Sequence, residues 1–128
     1  MMEAKADDAN RILIVEMRGM VSETEIDATF DKLQERYPQV GVRVRGGERG
    51  GIDVLLDWEH LEGWEKGAKT VGTLTGKMLS DVVNRVAIIA DEKWRGEEER
   101  IADIAKKARV RFFSPAARNH AWTWLTSD

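Results

Sequence analysis

The sequence predicts an α/β domain with a mixed, largely parallel sheet backed by helices. Three observations carry that expectation. Short aliphatic runs recur along the chain, and Val86-Ala87-Ile88-Ile89-Ala90 is the most uniformly apolar of them. Amphipathic segments at helical spacing lie between runs, and strands alternating with helices build parallel sheets through right-handed crossovers. The 128 residues contain neither an internal repeat nor a linker, so 1–128 reads as a single domain. A chain of this length buries a core without disulfide or metal staples.

Composition excludes several function classes. Hydrophobic residues make up 42% and charged residues 34%, the balance of an ordinary water-facing protein. The net charge of −3 argues against a nucleic-acid partner, which leaves a basic footprint. Cysteine is absent, which removes disulfides, thiol catalysis and thiolate metal sites. No apolar run approaches the ~18 residues of a membrane-spanning helix. Met1 to Asn10 is polar and holds no signal-peptide core, so the expected compartment is the cytoplasm.

Taken in order, Arg11 to Gly19 reads as a strand through Ile12, Leu13, Ile14, Val15 and Met17. Met2-Glu3-Ala4-Lys5 is expected to pair with it across the polar turn Asp7-Asp8-Ala9-Asn10. Ser22 to Tyr37 reads as a helix, with Ser22 and Glu25 at capping-box spacing. Ile26, Phe30, Leu33 and Tyr37 form its apolar stripe, and Pro38 follows its end. Val40, Val42 and Val44 alternate with Gly41, Arg43 and Arg45, the pattern of a half-buried strand. Gly46 to Gly51 then reads as a hairpin turn into a strand from Ile52 to Trp58. Glu65 to Asp81 is expected to be a helix weakened by Gly67, Gly72 and Gly76, each of which costs about 1 kcal/mol relative to alanine. Arg85 to Asp91 is expected to be a central strand covered on both faces. A helix over Glu92 to Ala108 places Trp94, Ile101, Ile104, Ala105 and Ala108 inward, with acidic residues early and basic residues late. Val110 to Phe113 is the last strand. Pro115 suits the first position of a final helix whose inner stripe is Ala117, Ala121, Trp124 and Leu125.

The second half carries an ordered set of signatures. Leu55-Leu56-Asp57-Trp58 runs into Leu61-Glu62-Gly63-Trp64-Glu65. Arg85-Val86-Ala87-Ile88-Ile89-Ala90-Asp91 leads to Lys93-Trp94, then Val110-Arg111-Phe112-Phe113, and finally Ala121 with Trp124-Leu125. From about Arg11 to Leu125 the chain resembles the SpoIIAA-like family, single-domain bacterial relatives of the STAS fold. The resemblance implies a mixed sheet backed by helices, similar also to lipid-carrying CRAL-TRIO domains. STAS proteins that antagonise anti-sigma factors are phosphorylated on a serine in the stretch after the strand ending here at Trp58. This chain has no serine or threonine between Gly51 and Lys69, so that phosphoswitch is not implied. For this branch the resemblance implies an apolar-ligand or membrane-associated role, with the helix after Gly63-Trp64 as a movable lid.

The ligand-binding candidates are Asp57, Trp58, Trp64, Val71, Met78 and Leu79. Trp58, Trp64, Met78 and Leu79 suit an apolar pocket beneath the glycine-weakened helix; the other reading is that the two tryptophans are core and the glycines permit close packing. Asp57 is expected at the carboxyl edge of the sheet, followed by Glu59, Glu62 and Glu65. Carboxylates there could serve acid/base chemistry or a hard cation, or they are a turn-forming aspartate among solvated glutamates. His60 and His120 are too isolated for a zinc site. Gly46 to Gly51 lacks the Lys-Ser/Thr ending of a phosphate loop. Arg43, Arg45 and Arg49 read as either a solvated face or a contact for anionic headgroups. Trp122 lies off the final helix's stripe, as an interface residue or a packed one.

No nucleophile–base set and no metal constellation emerges, so neither a catalytic residue, a metal nor a cofactor is expected. The expectation is a non-enzymatic module that binds a small apolar or lipid-like ligand or touches a membrane peripherally, without nucleic acid and with a homodimer possible. The alternative is a regulatory protein-interaction module of the anti-sigma-antagonist type lacking the phosphoserine.

Overall fold

The chain begins with a hairpin whose turn is fixed by one aspartate. Asp7 accepts the Asn10 backbone N–H at 3.1 Å and its side-chain amide at 3.0 Å. These two bonds tie Asp7 to Asn10, and the next residue, Arg11, stands at φ 55°. Strands β1 (Met2–Asp7) and β2 (Ile12–Val21) therefore pair antiparallel, as the sequence predicts. The structure is a computed structural model that describes residues 1–7, 10–36, 52–65, 83–99 and 108–127.

Ser22 starts helix α1 (Glu23–Arg36) by accepting the Glu25 N–H at 3.1 Å. The reciprocal half of the expected capping box is not made. The Glu25 carboxylate turns instead to the α-amino group of Met1, 3.2 Å away. Three further strands follow: β3 (Ile52–Trp64), β4 (Val83–Ile89) and β5 (Arg109–Phe113). The described sheet has the order β1-β2-β3-β4-β5, parallel except for the first pair. Helix α2 (Arg118–Thr126) closes the chain, entered through a 3-10 turn, Pro115–Ala117, with proline in its first turn.

Alternation along the strands divides the core in two. Leu13, Val15, Val54, Leu56, Trp58 and Ile88 lie on one face together with Ile26 of α1. Ile12, Leu55, Ala87, Ile89 and Phe113 lie on the other, beneath Ala121 and Leu125 of α2. Both faces of β3 and β4 are thus covered, which is why their sequences read as continuous apolar runs rather than alternating ones.

Three expectations change. Gly19 does not end its strand: it sits inside β2 at φ +61°, where the β2–β3 register shifts. Glycine adopts that conformation without strain, and a bulge uses it. Trp58 does not end β3, which continues to Trp64. Trp94 stands in a 3-10 turn, Glu92–Trp94, and not in a regular helix. A further expectation loses its place. From Ile52 to Asp57, β3 is flanked by β2 on one side and β4 on the other, so no edge remains there for a hairpin partner. The strand pattern of Val40 to Arg45, the turn of Gly46 to Gly51 and, beyond Glu65, the helix expected as far as Asp81 lie outside the described residues.

Arg85 ties the sheet to α2. Its guanidinium donates to the carbonyls of Trp124 and Ser127, each at 2.6 Å, where a helix end offers unpaired acceptors. Its backbone N–H donates to Asp53 at 3.0 Å. Burial nevertheless pushes the Asp53 carboxyl above its ordinary value, outweighing that hydrogen bond and the nearby Arg85 charge.

Two predictions follow from this packing. Ile88 is fully buried in an interior strand, and an unpaired buried carboxylate costs several kcal/mol. Ile88→Asp should abolish the cooperative unfolding transition in circular dichroism. Because Asp53 holds its proton more tightly folded than unfolded, its charged form opposes folding above the ordinary carboxylate range. Asp53→Asn should therefore raise the urea midpoint at pH 7, and the gain should vanish as pH falls below that range.

Candidate functional site

Period-2 alternation would point Trp58 and Leu61 to opposite faces, and likewise Leu61 and Trp64. Two register shifts in the β2–β3 pairing prevent this. Glu16 pairs with Asp57 but Arg18 with His60, and Gly19 pairs with Leu61 but Met20 with Gly63. Each shift inserts an extra β3 residue and reverses the parity. Trp58, Leu61 and Trp64 consequently all join the core on the α1 face.

Trp94, just beyond β4, completes a three-ring cluster. Trp58 meets Trp64 at 5.7 Å and 84°, and Trp94 at 6.1 Å and 68°; Trp64 and Trp94 lie 6.2 Å apart at 65°. Edge-to-face pairs of this kind add about 0.5–1.5 kcal/mol each beyond their burial. Trp58 is wholly buried, while Trp64 and Trp94 are half-buried. The indole N–H groups of Trp58 and Trp94 are both buried, and neither meets an acceptor among the described residues. The cluster occupies the carboxyl ends of parallel strands, where open α/β sheets hold ligands.

Asp57 lies on the opposite face from Trp58, as successive strand residues must, so the two do not share a pocket wall. Asp57 does not end β3, which runs on past it, but it stands level with Ile89 and Phe113, the last residues of β4 and β5, and so at their carboxyl edge. It is 8% exposed and receives two hydrogen bonds from Arg118, at 2.8 and 3.2 Å. The same guanidinium reaches Glu59 at 2.5 Å. The hydrogen bond to Asp57, with that to Glu59 behind it, holds the Arg118 guanidinium still more firmly protonated. This trio is an anchor for the start of α2 and leaves no free carboxylate pair for acid/base work.

Arg118 was not among the sequence candidates, although it left a signal. A cation in the first turn of a helix opposes the helix dipole and therefore calls for a carboxylate partner. Of the other candidates, Glu62 and Glu65 are exposed, as are His60 and His120. Among the described residues no group of three acidic or histidine side chains could hold a metal ion. Trp122 is half-buried and packs against the α2-face core. Val71, Met78 and Leu79 lie outside the described residues.

The Arg118 side chain is 41% exposed, which discounts its ion pairs, but Asp57 is left buried when they are lost. Arg118→Ala should lower unfolding free energy by about 1–2 kcal/mol, read from the urea midpoint, while Glu59→Gln should cost clearly less.

The SpoIIAA-like family model matches residues 12–126. An uncharacterised protein of the DUF3478 family with a SpoIIAA-like fold, from Shewanella loihica PV-4, superposes with a TM-score of 0.66 at 18% identity, covering 98% of this chain and 92% of that one. The anti-sigma factor antagonist SpoIIAA in its unphosphorylated form superposes with a TM-score of 0.55 at 10% identity, over 96% of this chain and 98% of that one. The phosphorylated form of the Bacillus cell fate determinant SpoIIAA gives 0.55 and 10%, over 94% and 97%. A search of the curated proteins finds no significant match. At these identities the structural likeness establishes the fold, and the family match, spanning most of the sequence from β2 to α2, establishes that this chain belongs to the SpoIIAA-like family.

Proposed function

We propose that this protein is a non-enzymatic binding module for a small amphiphile, an apolar body with one hydrogen-bond-accepting end. The supporting observation is the pair of buried indole N–H groups within the Trp58–Trp64–Trp94 cluster that have no acceptor among the described residues. A buried donor without an acceptor costs about 1–3 kcal/mol, and buried tryptophan N–H groups normally find a partner. A carboxylate, ester carbonyl or hydroxyl brought in by a ligand recovers that cost. The surrounding rings suit its apolar body. A fatty acid or a membrane lipid has this chemistry, so peripheral contact with a bilayer belongs to the same reading.

The test uses the purified full chain. Native mass spectrometry should detect bound fatty acid, and titration with a C16 fatty acid should shift tryptophan emission. Trp94→Phe keeps an aromatic ring and deletes the N–H. It should weaken fatty-acid binding about tenfold, the loss of roughly 1.4 kcal/mol. Fatty acid should also slow amide exchange over 66–82. No emission change, or equal affinity in wild type and Trp94→Phe, rejects the reading.

The regulatory alternative rests on the shared fold with an anti-sigma factor antagonist. Its phosphoswitch has no acceptor here, because Gly51 to Lys69 contains no serine or threonine. Incubation with an anti-sigma kinase should leave no phosphate between Asp57 and Lys69, as checked by peptide mass mapping.

A further inference from the structure

β1 is an edge strand, and its outer side faces an open groove. The Met1 α-amino group donates to the Arg18 carbonyl at 2.6 Å, and the Arg18 N–H donates to the Met1 carbonyl at 2.7 Å. That pair sets the phase of the antiparallel ladder. Glu3–Glu16 and Lys5–Ile14 are the next hydrogen-bonded pairs, so Met2, Ala4 and Ala6 turn their N–H and C=O groups away from β2. Among the described residues no strand pairs with them.

A groove of about 810 Å³ opens along this edge. One wall is a single stripe of α1: Glu25, Ala28, Thr29 and Lys32, spaced i, i+3, i+4 and i+7. The other is made by Ile14, Leu55 and Trp122, with the Asp57–Arg118 pair. The groove therefore embraces both faces of the edge, as a slot for an extended chain does.

Charge varies along the slot. Glu3, Glu16 and Asp57 stand in register across three adjacent strands. Arg118 answers Asp57, and Arg18 answers Glu16 at 2.9 Å. No ion pair involving Glu3 occurs among the described residues. Lys5 and Lys32 lie further along, because α1 starts beside Met1 and runs in the same direction as β1. The slot is acidic beside Glu3 and basic beside Lys5.

We propose that β1 accepts an extended segment of a partner protein as an additional antiparallel strand, with a basic side chain beside Glu3 and an acidic one beside Lys5. Strand addition uses the free backbone groups for affinity and alternate side chains for specificity. Read antiparallel, the segment carries an acidic residue, then a small apolar residue facing Ala4, then a basic residue. Opposite charges directly across a strand pair attract, and like charges repel.

The test is a titration of the ¹⁵N-labelled full chain with the blocked peptide Thr-Glu-Val-Lys-Thr and with its charge-swapped form, Thr-Lys-Val-Glu-Thr. The first should shift the amides of Met2, Ala4, Ala6, Ala28 and Thr29 and bind at least fivefold tighter than the second. Ala4→Pro removes one outward N–H at a position where an edge strand tolerates proline, and it should weaken binding at least tenfold. Glu3→Lys alone should remove the preference between the peptides, and the double exchange Glu3→Lys with Lys5→Glu should reverse it, which keeps the test decisive if Ala4→Pro does not fold. Trp94→Phe should leave peptide binding unchanged, which separates this site from the amphiphile site. Equal or reversed preference in the wild type, or shifts away from β1, overturns the proposal. So does concentration-dependent dimerisation lost in Ala4→Pro, which would put a second copy on this edge.

Discussion

The structure depends on the confinement of β3. From Ile52 to Asp57 this strand is hydrogen-bonded to a parallel neighbour on each side and buried on both faces. A strand held on four sides cannot slip, because a shift of one residue would exchange the inward and outward side chains of the whole sheet. Against β4 the register shifts once, at the start of the strand between Ile52 and Val54, whereas both shifts against β2 come after Asp57, where β4 no longer pairs with β3. Freed on one edge, the strand can take up extra residues against β2. Gly19, at positive φ, gives β2 the matching freedom. The three-tryptophan cluster arises from this change from rigid to accommodating backbone.

Much of the fold was legible because it is written in local patterns. The Ser22 cap, the Asp7–Asn10 turn, the buried run of Val86 to Ala90 and the stripe of Ala121 and Leu125 each follow from a spacing rule that acts within a few residues. The extent of β3 was not legible. Bulges break the period of two, so the expected strand stops at Trp58 although β3 runs on to Trp64. The placement of Val40 to Arg45 beside β3 failed for a different reason. Alternation reveals that a segment is strand-like, but edge availability belongs to the whole sheet.

The candidate site was half legible. Trp58 and Trp64 were identified by their chemistry, and their proximity holds. Trp94 was assigned inward without its partners, since contacts between the ends of two strands leave no trace in sequence spacing. Asp57 was noticed for the wrong neighbours. Its partner lies 61 residues away at the start of α2, and only the misfit of Arg118 with its helix dipole pointed to it.

Asp57 and Trp58 are adjacent in sequence but face opposite sides of the sheet, which keeps the two proposed binding surfaces chemically distinct. The Trp58 side is apolar, with donors that have no acceptor among the described residues. The Asp57 side is ionic, with its carboxylate already satisfied by Arg118. A ligand with one acceptor and an apolar body gains nothing from the second surface, and an extended polar strand gains nothing from the first. The register of β3 fixes both at once. The Glu16–Asp57 pair sits at the last in-register position before the first bulge, and the Trp58 side chain is set by the same turn of the backbone. A strand bound at β1 would press on the Glu3–Glu16–Asp57 row, and that row ends one residue from the tryptophan cluster. The chain therefore separates the two surfaces by chemistry while joining them through a single peptide unit of β3.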